Sequence, residues 1–126
     1  MKDVLMSIRP EYAAMIYART KTVEFRRRLP ESARQWRRFY IYESSPVRKV
    51  TGMVALSTVK QGDVDWIWRM FKNDGGINWG FYSEYMIGAK AAWALVIART
   101  YPFAEPLPLS SFGVGRPPQS WIYLYH

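Results

Sequence analysis

The sequence contains no cysteine, and its single histidine is His126, the last of 126 residues. The absence of cysteine excludes disulfides, zinc–cysteine sites and thiol catalysis. A lone histidine at a terminus, where chains are usually poorly ordered, excludes His-based catalytic triads and multi-histidine metal sites. We therefore predict that the protein holds no metal ion and uses no cofactor.

A long apolar run is also missing. No apolar segment is long enough to span a bilayer, and residues 1–5 lack the hydrophobic region of a signal peptide. These absences predict a cytoplasmic protein without a membrane partner. A chain of 126 residues that is 49% hydrophobic and 17% aromatic fits one well-filled domain over residues 1–126, and no repeat or linker divides it.

Negative charge is scarce relative to positive charge. Eighteen lysines and arginines face ten aspartates and glutamates, which gives a formal net charge of +8. Such a balance favours polyanionic partners, with RNA or another nucleic acid first and an anionic membrane surface second. Protein partners stay open.

Residues 19–28 combine many of these charges with the pattern of a strand. Because strand side chains alternate, Val23 and Phe25 point to one side, and Glu24 and Arg26 point to the other. The carboxylate and the guanidinium can therefore pair along one face, and Lys21 at the mouth of the strand can lean toward them. The alternative is a solvated edge strand with a surface ion pair of little energetic value.

This segment resembles the Gly-x-Lys-x-x-Glu-x-Arg signature of the ASCH family, a branch of the PUA-like superfamily. Lys21, Glu24 and Arg26 stand at the matching positions, and Arg19 replaces the usual glycine. Residues 5–12 resemble the family's opening strand and Pro-started helix, and residues 111–123 resemble its closing segment. Residues 62–88 have no clear counterpart and are interpreted as an insertion.

The remaining pattern predicts an α+β fold, a small mixed β-barrel with an early helix and a helical insertion. Asp63 is a plausible N-cap for a helix that ends before residues 73–76. Gly52 marks a bulge or a close backbone approach within a strand. Other expected elements are strands over 4–8, 39–43, 49–59, 91–101 and 122–125, a helix over 10–19, a further turn of helix over 81–86, and an extended crossing forced by Pro102, Pro106 and Pro108. Three rings lie in or just before the helical turn over 81–86. Trp79, Phe81 and Tyr82 either line a pocket or pack as a helical lid.

A basic tract follows the signature strand and contains one tryptophan, Trp36. Arginines can clamp a phosphate backbone while a neighbouring ring stacks on a base, so the group is a candidate nucleic-acid surface. For any single arginine, a solvated loop is an equal alternative. The arginines of this tract are Arg26, Arg27, Arg28, Arg34, Arg37 and Arg38, opposed by Glu24 and Glu31.

The resemblance implies an RNA-binding module in which Lys21, Glu24 and Arg26 line a cleft between the first helix and the barrel. Arginines would hold the backbone while rings stack on one unpaired base. Glu24 would accept a hydrogen bond from an exocyclic amine of that base, with Arg26 fixing the carboxylate.

Two alternatives remain. Some relatives resemble amidohydrolases that remove an acyl group from a modified cytidine with a lysine, a threonine and a glutamate; Lys21 matches the lysine, but Glu24 stands in place of the threonine. If the enzyme is a ribonuclease, an activity also reported for family relatives, Lys21 and Glu24 would act as its acid and base. The other alternative to RNA binding is a protein-interaction module, since family members have been proposed as transcription coactivators. We favour binding over catalysis.

Overall fold

The computed structural model of the protein describes residues 2–125, so His126 lies outside the described residues. Its elements, in chain order, are β1 (Lys2–Ile8), α1 (Pro10–Tyr17), β2 (Val23–Arg26), a 3-10 helix (Glu31–Gln35), β3 (Arg38–Glu43), β4 (Lys49–Gly62), α2 (Val64–Phe71), α3 (Trp79–Tyr85), β5 (Ala92–Leu107), a second 3-10 helix (Leu109–Phe112) and β6 (Trp121–Tyr125). The α+β class predicted from the sequence is confirmed. No helix within residues 2–125 is both long and apolar enough to cross a membrane.

The six strands form one sheet in the order β2-β5-β4-β3-β1-β6. β1 and β3 run parallel, and the other neighbours are antiparallel. The predicted closed barrel is not confirmed, because β2 and β6 are the two ends of the sheet order and no ladder joins them within the described chain. β2 has only four residues, and it reaches the β1 side of the fold through the Arg26 side chain instead of a ladder.

The helical insertion packs on the apolar side of β2. Val23 and Phe25 are buried there together with Ile67 of α2 and Tyr82 of α3. The alternation in β2 therefore predicts its buried face correctly, and the structure adds what covers that face. A separate core cluster lies between the sheet and α1, where Ile16 is buried.

Gly52 fills both roles predicted for it. The register between β4 and β5 shifts between Val50 and Gly52. A Cβ added at Gly52 would lie 2.6 Å from the Tyr17 hydroxyl and 2.7 Å from the Tyr101 carbonyl oxygen. The strand thus bends where the backbone of its neighbour comes closest.

Several element bounds differ from the prediction. α1 ends at Tyr17 instead of Arg19, because Arg19 has a φ of 66°, in the left-handed region that a helix cannot continue through. β5 runs past Tyr101 and includes Pro102, where a crossing was expected. β5 pairs with β2 only over Trp93 to Val96, so beyond that stretch one side of β5 is an edge, where a proline is tolerated.

Asp63 caps α2 as predicted, since its carboxylate accepts a hydrogen bond from the Asp65 N–H. α2 then follows the apolar spacing and ends at Phe71, before the predicted stop at residues 73–76. The turn of helix expected over 81–86 is α3, which begins at Trp79 behind an Asn78 cap. Local capping and periodicity are thus reliable guides within the insertion.

Candidate nucleic-acid interface

The three signature residues form one ion-pair cluster. Lys21 Nζ lies 3.3 Å from Glu24 Oε1, and Arg26 Nη2 lies 2.9 Å from Glu24 Oε2. Lys21 is 3% exposed and Glu24 is 8% exposed. Each cation occupies one oxygen of the same carboxylate, and the alternation of β2 is what places Glu24 and Arg26 on one face. Buried, shared pairing of this kind fixes the carboxylate in one orientation.

All three N–H donors of Lys21 have an acceptor. Nζ donates to the carbonyl oxygens of Val23 at 3.0 Å and Gly75 at 2.6 Å, and it also pairs with Glu24. The ammonium group lies 5.5 Å from the ring centroid of Tyr12. Because an ammonium carries three donors and accepts nothing, the lysine is fully engaged by the protein itself.

Arg26 links the edge strand β2 to the other side of the fold. Nη1 donates to Ser120 Oγ at 2.8 Å, and Nη2 donates to the Ser7 carbonyl oxygen at 3.0 Å. Its buried Nε has no hydrogen-bond partner among residues 2–125. The guanidinium therefore spans the gap that a closed barrel would have filled with backbone pairing.

A tight turn after α2 lies directly against the cluster. The carbonyl oxygen of Asp74 accepts the N–H groups of Thr22 and Val23 at 2.8 and 3.0 Å. A Cβ on Gly75 would lie 2.1 Å from a ring carbon of Phe25, so only glycine leaves that ring where it is. The insertion is thus held to the start of β2 by two backbone hydrogen bonds, at the two residues that directly follow Lys21.

An open cavity of about 200 Å³ lies beside the ion-pair cluster, and we call it the signature cleft. One wall is the ion-pair cluster, and the others carry aromatic rings. Tyr12 and Phe81 meet edge to face with their ring centroids 6.1 Å apart. The cleft is lined by Ser7, Ile8, Arg9, Tyr12, Lys21, Glu24, Phe25, Arg26, Ile77, Phe81 and Tyr85.

The ring residues predicted at the insertion divide between the two expected roles. Phe81 lines the signature cleft. Tyr82 is fully buried under α2 and donates to the Val64 carbonyl oxygen, so it packs as part of a lid. Trp79 is half-exposed beside Trp68 and does not line the cleft.

The basic tract is divided by the fold. Arg27 lies close to the cleft and donates to the Tyr85 carbonyl oxygen at 2.9 Å, while Arg28 is exposed. Arg34 lies over β4 and β5, where it pairs with Glu31 at 3.0 Å and also contacts Gln61. Arg27 therefore lies near the signature cluster, whereas Arg34 lies at a different part of the sheet.

The last part of the tract lies at the opposite end of β1. Trp36, Arg37 and Arg38 line a cavity of about 550 Å³ near Asp3 and Tyr123. Arg38 donates to both carboxylate oxygens of Asp3, at 2.8 and 3.1 Å. That hydrogen bonding, followed by the charge attraction of Asp3, raises the pKa of Arg38. Trp36 stacks edge to face on Trp121, with ring centroids 5.2 Å apart.

Sequence reasoning missed several residues of the cleft. Ser7 and Arg9 line the cleft and Ser120 bonds Arg26, but all three come from segments distant in the chain, and the tertiary fold places them near the cluster although β2 and β6 are the two ends of the sheet order. Tyr12 was expected in the core, yet its ring also lines the cleft. Within residues 2–125, no group of metal-ligating side chains is arranged to hold a metal ion.

Comparison with known proteins matches the chain to the ASCH domain over residues 6–103. An ASCH domain-containing ribonuclease from Zymomonas mobilis is 34% identical over 127 residues, covering 98% of this chain and 84% of that protein. The crystal structure of ASCH from Zymomonas mobilis is 32% identical and superposes with a TM-score of 0.84, covering 98% of this chain and 87% of that one. Crystal structures of two mutants of that protein give TM-scores of 0.87.

Proposed function

Because the chain belongs to the ASCH domain family, we propose that it is an RNA-binding protein whose signature cleft receives one unpaired base. The ribonuclease relative supports an RNA-related function, and the formal net charge of +8 favours a polyanion. Family membership establishes the fold more firmly than the function, so the proposal rests on the geometry of the cleft.

The observation that carries the proposal is the position of Glu24. Its carboxylate is held by Lys21 and Arg26, yet it lines the cleft. A carboxylate has room for about four hydrogen bonds, so each oxygen keeps capacity for a ligand donor. The exocyclic amine of cytosine, adenine or guanine is such a donor, and uracil lacks one.

The size and walls of the cleft suit a single base. Ligand pockets for drug-sized molecules are about 300–1,000 Å³, so a cavity of about 200 Å³ suits a smaller, ring-sized group. Tyr12, Phe25, Phe81 and Tyr85 supply aromatic surface around it. Proteins that read single-stranded RNA stack splayed bases on such rings while polar groups read the base edge.

The engagement of Lys21 argues against the amidohydrolase alternative. A lysine nucleophile needs a free amine that reaches the substrate. Lys21 is buried, and its donors are occupied by Val23, Gly75 and Glu24. Together with the replacement of the expected threonine by Glu24, this leaves deacylation of a modified cytidine without its catalytic groups.

RNA cleavage is the second candidate function, and the 34% identical ribonuclease favours it. The geometry does not support Lys21 as its general acid, because the ammonium group donates to protein acceptors only. Cleavage by this chain would therefore use more accessible groups, with the signature cleft holding the base.

The proposal is tested by titrating labelled single-stranded RNA at several salt concentrations and recovering the RNA afterwards on a denaturing gel. Binding that weakens with salt, at a slope of about −0.7 in log K against log salt for each phosphate contact, is the expected result. Intact RNA after binding supports a binding module, and shortened RNA supports a ribonuclease. An absence of affinity at low salt would contradict both and would favour the protein-interaction module.

A further inference from the structure

A second cavity adjoins the signature cleft. It encloses about 610 Å³ at the carboxyl ends of the parallel strands β1 and β3. Ser7 and Arg9 line both cavities, so the two cavities are adjacent and share these residues as a boundary. In open sheets with parallel strands, this end of the strands is where ligands are commonly bound. We call the second cavity the β1–β3 groove.

The groove carries two positive charges without an ion-pair partner among the described residues. Arg9 and Arg48 line it, both are exposed, and neither has a hydrogen-bond or ion-pair partner among residues 2–125. No described aspartate or glutamate lines the groove. This contrasts with Arg26 and Arg38, whose guanidinium groups are paired with carboxylates.

Hydroxyl groups accompany the two arginines. Ser44 and Ser45 lie in the turn after β3 and line the groove. Guanidinium groups and hydroxyls donate hydrogen bonds to phosphate oxygens. They suit a phosphate best where no carboxylate competes for them. The carboxylate of Glu24, the acceptor proposed to read a base amine, lines the neighbouring cleft and not the groove.

We propose that the β1–β3 groove binds the phosphodiester of the nucleotide that follows or precedes the base held in the signature cleft. Arg9, at the junction, contacts the phosphate nearest the base, and Arg48 contacts the next one along the strand. This inference rests on the proposed RNA-binding function and adds the path of the RNA backbone across the protein.

The test compares two matched charge removals, Arg48→Gln and Arg99→Gln. Arg48 lies in the groove with a φ of 54°, and glutamine has the same backbone preferences as arginine, so the substitution leaves the conformational strain at that position unchanged. Arg99 is exposed on β5 and lines neither cavity, so the Arg99→Gln substitution removes the same charge away from the groove. Circular dichroism and thermal unfolding are measured first, to check that both variants fold.

Each variant is titrated with a single-stranded oligonucleotide and with the same oligonucleotide carrying uncharged methylphosphonate linkages. We expect Arg48→Gln to weaken binding of the charged strand about tenfold, the size of one charge-assisted contact, and to flatten the salt slope by about 0.7. Arg99→Gln is expected to change neither quantity appreciably. With uncharged linkages, the difference between wild type and Arg48→Gln should disappear, which isolates the arginine–phosphate contact.

Two results would overturn the inference while leaving the proposed function intact: equal losses in both variants, or a loss in Arg48→Gln that persists with uncharged linkages. Wild-type affinity for the charged strand would still show RNA binding in either case. Failure of the wild type to bind any strand at low salt would overturn both.

Discussion

Lys21 Nζ donates a 2.6 Å hydrogen bond to the carbonyl oxygen of Gly75, a residue 54 positions further along the chain. This contact joins the signature strand to the turn between α2 and α3. The ammonium group of this lysine therefore contacts both Glu24 and the segment between α2 and α3. Residues 62–88 are therefore part of the site, and the ASCH match over residues 6–103 spans them, so their interpretation as an insertion without a counterpart is not supported.

Lys21→Met is expected to destabilise the protein strongly. The methionine keeps the apolar stem, but Glu24 and the Gly75 carbonyl oxygen lose their buried donor. Breaking a buried ion pair from one side costs about 3–5 kcal/mol. Urea unfolding measures the loss, with Lys60→Met, at an exposed position of β4, as the control. A Lys21→Met protein of wild-type stability that has lost RNA cleavage would show that the lysine is catalytic instead.

Gly75→Ala should disturb the cleft through a single methyl group. The new Cβ would lie 2.1 Å from a ring carbon of Phe25, so the ring or the turn must move. Overpacking of this kind costs about 1–3 kcal/mol. Gly115→Ala is the matched control, because a Cβ there meets nothing within 4 Å. Equal unfolding midpoints for the two variants in urea would contradict the close packing of Phe25 on Gly75.

Glu24→Gln is expected to change which bases bind. The amide nitrogen cannot accept a hydrogen bond, so one of the two acceptor atoms facing the cleft is lost. We expect wild type to bind cytidine-containing RNA more tightly than the matching uridine-containing RNA by about tenfold, the range of one hydrogen bond to a charged group. The variant should reduce that ratio toward one. A competition titration measures it.

The control for this selectivity is Arg27→Ala, because Arg27 contacts the Tyr85 backbone and does not line the cleft. Its loss should weaken all sequences about equally. If Arg27→Ala changes the base ratio and Glu24→Gln does not, the base is read elsewhere on the protein.

Part of this site could be predicted from the sequence. The alternation of β2 alone places Glu24 and Arg26 on one face and buries Val23 opposite, because the side-chain period of a strand depends only on local geometry. The partners of these residues could not be predicted in the same way. Gly75, Ser7 and Ser120 reach the cluster only through the tertiary packing of the sheet ends and of the insertion, which no local pattern specifies.

The division of the basic tract has the same origin. Arg26 and Arg38 are close in sequence, but β2 and β3 lie at separate positions in the sheet order, with β5 and β4 between them. Arg26 contacts Ser7 near the end of β1, whereas Arg38 contacts Asp3 near its start, so the two arginines lie on different surfaces. The mixed β-barrel was predicted from several short strands with turn signals and two helical segments, whereas closure depends on whether the two edge strands pair, and β2 and β6 do not within the described residues.

Alkaline pH is expected to weaken the protein partly through Tyr17. Burial, with a smaller contribution from the charge of Glu43, raises the pKa of Tyr17 to about 12, and its hydrogen bond with Thr51 opposes this in part. A phenol whose pKa is higher in the folded state stabilises the fold fully below its unfolded value of about 10, and this contribution is lost as the pH rises through about 12.

Tyr17→Phe should therefore be less stable than wild type at pH 7, by about 1 kcal/mol for the lost hydrogen bond. The difference should narrow as the pH rises from about 10 to about 12. Urea unfolding of wild type and Tyr17→Phe at a series of pH values measures this difference in stability. A Tyr17→Phe difference that does not vary with pH would refute the linkage.

The Arg26–Ser120 hydrogen bond joins residues 94 positions apart, and the Ser7–Pro118 hydrogen bond joins residues 111 positions apart. The antiparallel pairs β3–β4 and β4–β5 are neighbours in both chain and sheet, so their loops close at a lower entropic cost. The central strands should consequently fold first, and the cleft should assemble only when the last strand docks beside the first. In stopped-flow refolding, we expect recovery of the β-sheet circular dichroism signal to precede recovery of RNA binding.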